Sequence, residues 1–128
     1  MEPRRFFGDM DGLVRRMNLG FGDFLTRQDI ERRGSSRLPD LLVGLPGVRV
    51  SQNGRSLVIR GRQCTPMVFL DGRPYRLDPV LGLNEIHSFD IEAVEVYKGT
   101  AAIPAEFNYS TNGQVGCGAV VVWTRRGR

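Results

Sequence analysis

Residues 90–99 read Asp-Ile-Glu-Ala-Val-Glu-Val-Tyr-Lys-Gly, and residues 118–124 read Gly-Ala-Val-Val-Val-Trp-Thr. The first stretch alternates, which is the period of a strand with one face turned to a core. Val94 and Val96 are its inward candidates, and Glu92, Glu95 and Lys98 are placed to reach solvent. The second stretch is apolar at five consecutive positions, Ala119–Trp123, the pattern of a strand covered on both faces. A sheet with its last strand at the centre follows from these two segments.

Working outward, three more strand candidates share the β-branched and aromatic bias: Val48–Ser51, Leu57–Gly61 and Met67–Asp71. With Ala93–Lys98 and Ala119–Thr124 they make five. Asn53-Gly54 predicts a hairpin between the first two, and Asp71-Gly72 a turn into Arg73–Arg76. Before residue 47 the period is helical. Met10, Leu13, Val14 and Met17 form a short apolar stripe interrupted by Gly12, followed by an irregular link at Gly20, Phe21 and Gly22. Thr26 and Asp29 have the spacing of a capping box, and Gly34 stops the helix they open over 27–33. Ser35 or Ser36 then caps a second helix, with Pro39 in its first turn and Leu38, Leu41, Leu42 and Leu45 as its stripe. A third helical segment is expected over Val80–Phe89, and a loop over Gly99–Gly118. The order predicts an α+β domain built on a small mixed sheet of four to five strands with short helices, spanning 23–128. Residues 1–22 precede it as a separate segment holding at most a short helix.

At 128 residues, 41% apolar and 25% charged, the chain suits one compact domain. No apolar run approaches the roughly 20 residues of a membrane-spanning helix, and five strands fall short of the roughly eight that the smallest transmembrane barrel requires. No signal peptide is visible at the N-terminus, since no apolar run follows Met1–Gly12. The net charge of +4 rests on 17 arginines and Lys98 against 14 carboxylates. Such a balance permits an anionic partner without demanding one. The seven phenylalanines are spread through the chain and mostly fall at core-like positions, which weighs against a nucleic-acid-binding face.

Catalytic patterns are weak. His87 is the only histidine and reads as a surface or capping residue, which removes most triads and histidine-rich metal sites. Asp71, Asp78, Glu85, Asp90, Glu92 and Glu95 are numerous, but their spacing selects no acid/base pair. The glycines between Gly113 and Gly118 precede a strand, whereas a phosphate-binding loop opens a helix. Neither an enzyme, a metal nor a cofactor is expected. Cys64 and Cys117 stand just ahead of the third and fifth strand candidates. Either they form a disulfide, worth roughly 4 kcal/mol in a chain-entropy treatment, or they are two unrelated buried thiols.

Six blocks in order now carry a resemblance: Leu38-Pro39-Asp40-Leu41-Leu42; Leu45-Pro46-Gly47-Val48-Arg49-Val50; Ile59-Arg60-Gly61-Arg62; Val68-Phe69-Leu70-Asp71-Gly72; Asp90–Gly99; and Gly118–Thr124. From Phe24 to Arg126 the chain resembles the plug domain of TonB-dependent outer-membrane receptors. The stretch Ile103-Pro104-Ala105-Glu106-Phe107, Cys117 and Cys64-Thr65-Pro66 depart from the usual receptor pattern and are similar to plug-like domains attached to carboxypeptidase-regulatory-like modules. The resemblance implies a globular α+β plug that in complete receptors fills a 22-stranded barrel and helps bind substrate on its outer loops. It implies a location in the periplasm or on the periplasmic side of the outer membrane, and hence a Cys64–Cys117 disulfide. No TonB box is apparent in Met1–Gly22, and the chain leaves no room for a barrel of its own. The expectation is a non-enzymatic binding or gating module. Its partner is an outer-membrane barrel or a periplasmic protein, and its contacts lie on the loops Arg73–Leu83 and Thr100–Gly118 with Arg60, Arg62, Arg73 and Arg76 as candidates. A regulatory or scaffolding module that has lost transport is the alternative, and a basic nucleic-acid binder a more remote one.

Overall fold

The computed structural model describes residues 10–34, 37–59, 64–99, 103–107 and 117–125. Its elements are helices α1 (Met10–Leu19), α2 (Arg27–Arg33) and α3 (Leu38–Leu42), and strands β1 (Asp23–Leu25), β2 (Val48–Val50), β3 (Leu57–Ile59), β4 (Met67–Leu70), β5 (Arg73–Pro74), β6 (Ile91–Tyr97) and β7 (Ala119–Thr124). Five strands form one mixed sheet in the order β1-β6-β7-β4-β5, with β7 in the middle. That position is what five consecutive apolar residues anticipate. β6 runs antiparallel to β7, pairing Val94 with Val122 and Val96 with Val120, while β4 runs parallel to it, pairing Met67 with Ala119.

The period of two along β6 and β7 sends side chains to two separate cores. On one face Val94, Val96, Val120 and Val122 meet Leu25, Ile30, Leu38, Leu41, Leu42, Leu57 and Ile59, beneath α2, α3 and the β2–β3 hairpin. On the other, Ala93, Tyr97, Val121 and Trp123 meet Leu13, Phe69, Ile103 and Phe107. The sheet is therefore a middle layer, and its second face is closed by α1 and a 3₁₀ turn at Ala105–Phe107.

Local chemistry explains where elements start and stop. The Asp71-Gly72 turn joins β4 to β5 with φ of 52° and 90°, the paired positive angles of a type I′ hairpin. Thr26 and Asp29 form the expected capping box, and Gly34 ends α2 at φ 67° with its N–H donating to the Ile30 carbonyl. At α3, Arg37 holds the N-cap position with no side-chain capping bond. The expected serine cap is thus replaced, and Ser35 and Ser36 lie outside the described residues.

Four expectations are corrected. The β2–β3 hairpin forms its own two-stranded sheet, and the places left in the main sheet go to β1 and the two-residue β5. The helix expected over Val80–Phe89 is two 3₁₀ turns, Gly82–Glu85 and Ser88–Asp90. Gly82 sits at φ 58° where a Cβ would lie 2.3 Å from the Arg55 carbonyl oxygen, and the extended Ile86 accepts from the Leu38 N–H, so no helical ladder continues through them. Along α1, Leu13 and Arg16 are buried while Val14 and Met17 of the expected stripe face solvent. Finally Glu95 is not at the surface. It is fully buried, because the face it shares with Ala93 and Tyr97 is covered.

Candidate functional site

Between β4 and the segment that follows β5 lies a cleft of about 680 Å³, lined by Thr65, Pro66, Met67, Val68, Pro74, Tyr75, Arg76 and Leu77. It opens because the chain leaves the ladder after the Tyr75 N–H has donated to the Val68 carbonyl. The departing loop is braced. Glu85 accepts from the Tyr75 hydroxyl and, at 2.6 Å, from the Asp78 N–H. Asp78 Oδ1 accepts in turn from the N–H groups of Val80 and Leu81 at 2.7 and 2.9 Å. The Leu81 and Val80 amides hold the Asp78 carboxyl below its ordinary pKa, so this brace is ionised at neutral pH. The loop presents Val80, 70% exposed, and Leu81 to solvent.

Of the sequence-predicted arginines, Arg76 lines this cleft and Arg73 stands exposed on β5 beside it, outside the lining. Arg60 and Arg62 lie outside the described residues, as does most of the loop 100–118. An exposed guanidinium next to an apolar floor of Pro66, Met67 and Leu77 suits a ligand carrying both an anionic group and apolar surface.

A second constellation was not anticipated. Arg16 is 1% exposed and grips Glu95 with two parallel hydrogen bonds, Nε to Oε1 at 2.8 Å and Nη2 to Oε2 at 2.9 Å. The Tyr97 hydroxyl also donates to Oε1, and Trp123 Nε1 donates to Oε2 at 2.6 Å, so the buried carboxylate receives four donors. The guanidinium lies 4.9 Å from the Phe107 ring centre and 5.9 Å from that of Trp123. Its Nη1 reaches Glu106 at 2.9 Å, and the exposed Arg15 pairs with the same carboxylate. Burial opposes the charge on Arg16, but the hydrogen bonds and charge of Glu95 outweigh it and raise its pKa above the usual arginine value. Burial, then the bond to Glu95, pushes the Tyr97 phenol up as well. Glu106 is opposed by burial yet held below its usual value by its own backbone N–H and by the two arginines. One signal was available in the sequence: Arg16 follows Leu13 by three residues, so one helix face carries both.

Two further candidate groups have structural partners. Asp71 accepts from the Thr124 N–H and hydroxyl, both at 2.8 Å, and His87 is an exposed residue bridged to Arg37. Among the described residues, no group of three or more His, Cys, Asp and Glu is placed to hold a metal ion.

The family model described as the TonB-dependent receptor plug domain matches residues 23–108. The chain belongs to that family. It is a non-enzymatic plug domain. The plug is similar to the ferric citrate transporter FecA in its unliganded form, with 23% identity, 95% of this chain and 21% of that one covered, and a TM-score of 0.64. It is also similar to a mutant ferric enterobactin receptor, PfeA, of Pseudomonas aeruginosa in complex with enterobactin (25%, 81% and 17%, 0.59). The siderophore receptor PirA of Acinetobacter baumannii is a third (20%, 82% and 17%, 0.61). The chain thus spans between 17% and 21% of the length of these receptors.

Within the plug, parallel pairing of β4 and β7 brings their first residues side by side. Cys64 and Cys117, just ahead of each, are joined by a disulfide with Cα atoms 5.6 Å apart. No described helix is long and apolar enough to cross a membrane.

Proposed function

We propose that this plug acts on the periplasmic side of the outer membrane, where it seats against a barrel and contributes the cleft beside β5 to ligand contact. The observation that carries the reading is the cleft itself, which sets Arg76, with Arg73 adjacent, on a braced loop at the edge of a rigid sheet. Loops held this way on a fixed scaffold are where binding residues concentrate. An oxidising compartment agrees with the disulfide, and the relatives named for ferric citrate and enterobactin support an anionic chelate as the ligand class. Residues 23–128 form the plug-like unit, with 1–22 leading into it. Arg60 and Arg62, which stand near strand ends in the sequence, are proposed as further ligand or partner contacts.

The test is envelope fractionation of the chain directed to the periplasm, with Arg73→Glu/Arg76→Glu alongside. The reading expects retention with outer membranes and about tenfold weaker retention for the double variant, a change of ~1.4 kcal/mol. A freely soluble periplasmic monomer, unaffected by the substitutions, would instead support the regulatory or scaffolding module.

A further inference from the structure

We propose that the open edge of β1 takes up an extended segment of a partner protein as a further strand of the sheet, and that the segment is selected for an apolar and an acidic side chain two residues apart. The two ends of the five-stranded sheet differ. β5 closes one with only two residues, exposed Arg73 and Pro74, a charge and a proline of the kind that discourage pairing. β1 ends the other without a proline, and its one charged residue, Asp23, is neutralised by Lys98 at 2.8 Å. Successive residues of an antiparallel strand turn their N–H and C=O to alternate edges. The Val96 carbonyl lies 2.9 Å from where a Cβ of Gly22 would stand, so Val96 exchanges its bonds with Asp23, and Phe24 turns its N–H and C=O outward. No backbone group among the described residues takes either of them.

A cleft of about 350 Å³ fronts this edge, between β1, the end of α2 and the turn Gly44-Leu45-Pro46. Its charges are not equally available. Asp23 is held by Lys98, and Asp29 by Arg32 at 3.3 Å and by the cap of α2, whereas exposed Arg33 has no carboxylate partner among the described residues. The Arg33 guanidinium is laid over Gly44, where a Cβ would lie 2.6 Å from Nη1. The cleft therefore offers an incoming strand one unpaired guanidinium and, in Leu45 and Pro46, an apolar wall. On that strand the residue opposite Phe24 points to the face of Phe24, and its two neighbours point to the face that Leu25 shares with α2 and Leu45. Those neighbours are two residues apart. One apolar side chain against Leu45 and one carboxylate at Arg33 give the recognised pattern. Main-chain bonds to Phe24 supply the attachment, and this pair supplies the choice.

The probe is the heptapeptide Thr-Glu-Thr-Val-Thr-Glu-Thr, which sets a glutamate two residues from the valine in either strand direction. A second peptide with both glutamates replaced by glutamine keeps the strand bias and loses the charge. Each is titrated to about 5 mM against the isotope-labelled full chain, and amide shifts and hydrogen exchange are followed by NMR. In the free chain the Phe24 amide is expected to exchange faster than those of Asp23 and Leu25. With the glutamate peptide it should shift saturably and become protected. The glutamine peptide, or Arg33→Ala in the chain, should weaken binding about threefold to fivefold, the scale of an exposed ion pair. Gly44→Ala displaces the guanidinium without removing its charge, and a similar loss is expected. A Phe24 amide already protected in the free chain, unresponsive to the glutamate peptide, or equally responsive to both peptides overturns the proposal.

Discussion

At position 95 a buried carboxylate accepts four hydrogen bonds, two of them from a buried guanidinium. Replacing it with alanine leaves Arg16 charged and half-paired in the interior, with the Tyr97 and Trp123 donors stripped of their acceptor. Breaking a buried pair from one side costs about 3–5 kcal/mol. Urea unfolding of Glu95→Ala is therefore expected to show a loss on that scale, while Glu92→Ala, partly exposed on the same strand, stays within about 0.5 kcal/mol. The two glutamates look alike in the sequence. Alternation along β6 places Val94 and Val96 on one face and Glu95 on the other, and the register shift between Ile91 and Ala93 takes Glu92 out of that period, but alternation reports only that two faces differ. Whether the polar face meets water depends on α1 and the Ala105–Phe107 turn folding over it, and no local pattern records that. Arg76 was singled out because it stands near a strand end, and the structure places it at the wall of the cleft. Arg16 was not, because a charged residue on a short amphipathic helix reads as solvated until its partner is known.

Elements whose determinants are local were the readable ones. The Thr26–Asp29 box and Gly34 lie within or beside α2 and define both of its ends. The three-residue β1 exists because β6 offers it an edge, and the region 80–89 breaks into 3₁₀ turns because Arg55 and Leu38, distant in sequence, claim its space and its Ile86 carbonyl. The cap of α2 has a pH signature. The Thr26 backbone N–H, first among the causes, holds the Asp29 carboxyl below its ordinary value of 3.8. A carboxylate depressed in the folded state contributes fully above the unfolded value and loses that contribution as pH falls through the lower folded one. Asp29→Ala is accordingly expected to cost about 1 kcal/mol at pH 7, the scale of a lost cap, and progressively less below pH 3.8. Paired thermal melts of the two proteins across that range measure the difference.

For the molecule as a whole, the arrangement that matters is one sheet covered on both faces and stapled at one end. Parallel β4 and β7 place Cys64 beside Cys117, and the bond closes a long loop around β4, β5 and β6. Their positions ahead of two strands were legible, the family resemblance implied their pairing, and the structure joins them where β4 and β7 lie side by side. What such a body offers a partner is its edge and loops, since both faces are occupied. This plug is proposed to work against an outer-membrane barrel through the loop that follows β5. Val80, exposed and held on that loop by Asp78, is the position from which to ask. With a photoreactive benzoylphenylalanine at position 80, irradiation of intact envelopes should give an adduct with a heat-modifiable outer-membrane barrel protein. Adducts only with soluble periplasmic proteins, and a chain recovered wholly in the soluble fraction, would contradict the account.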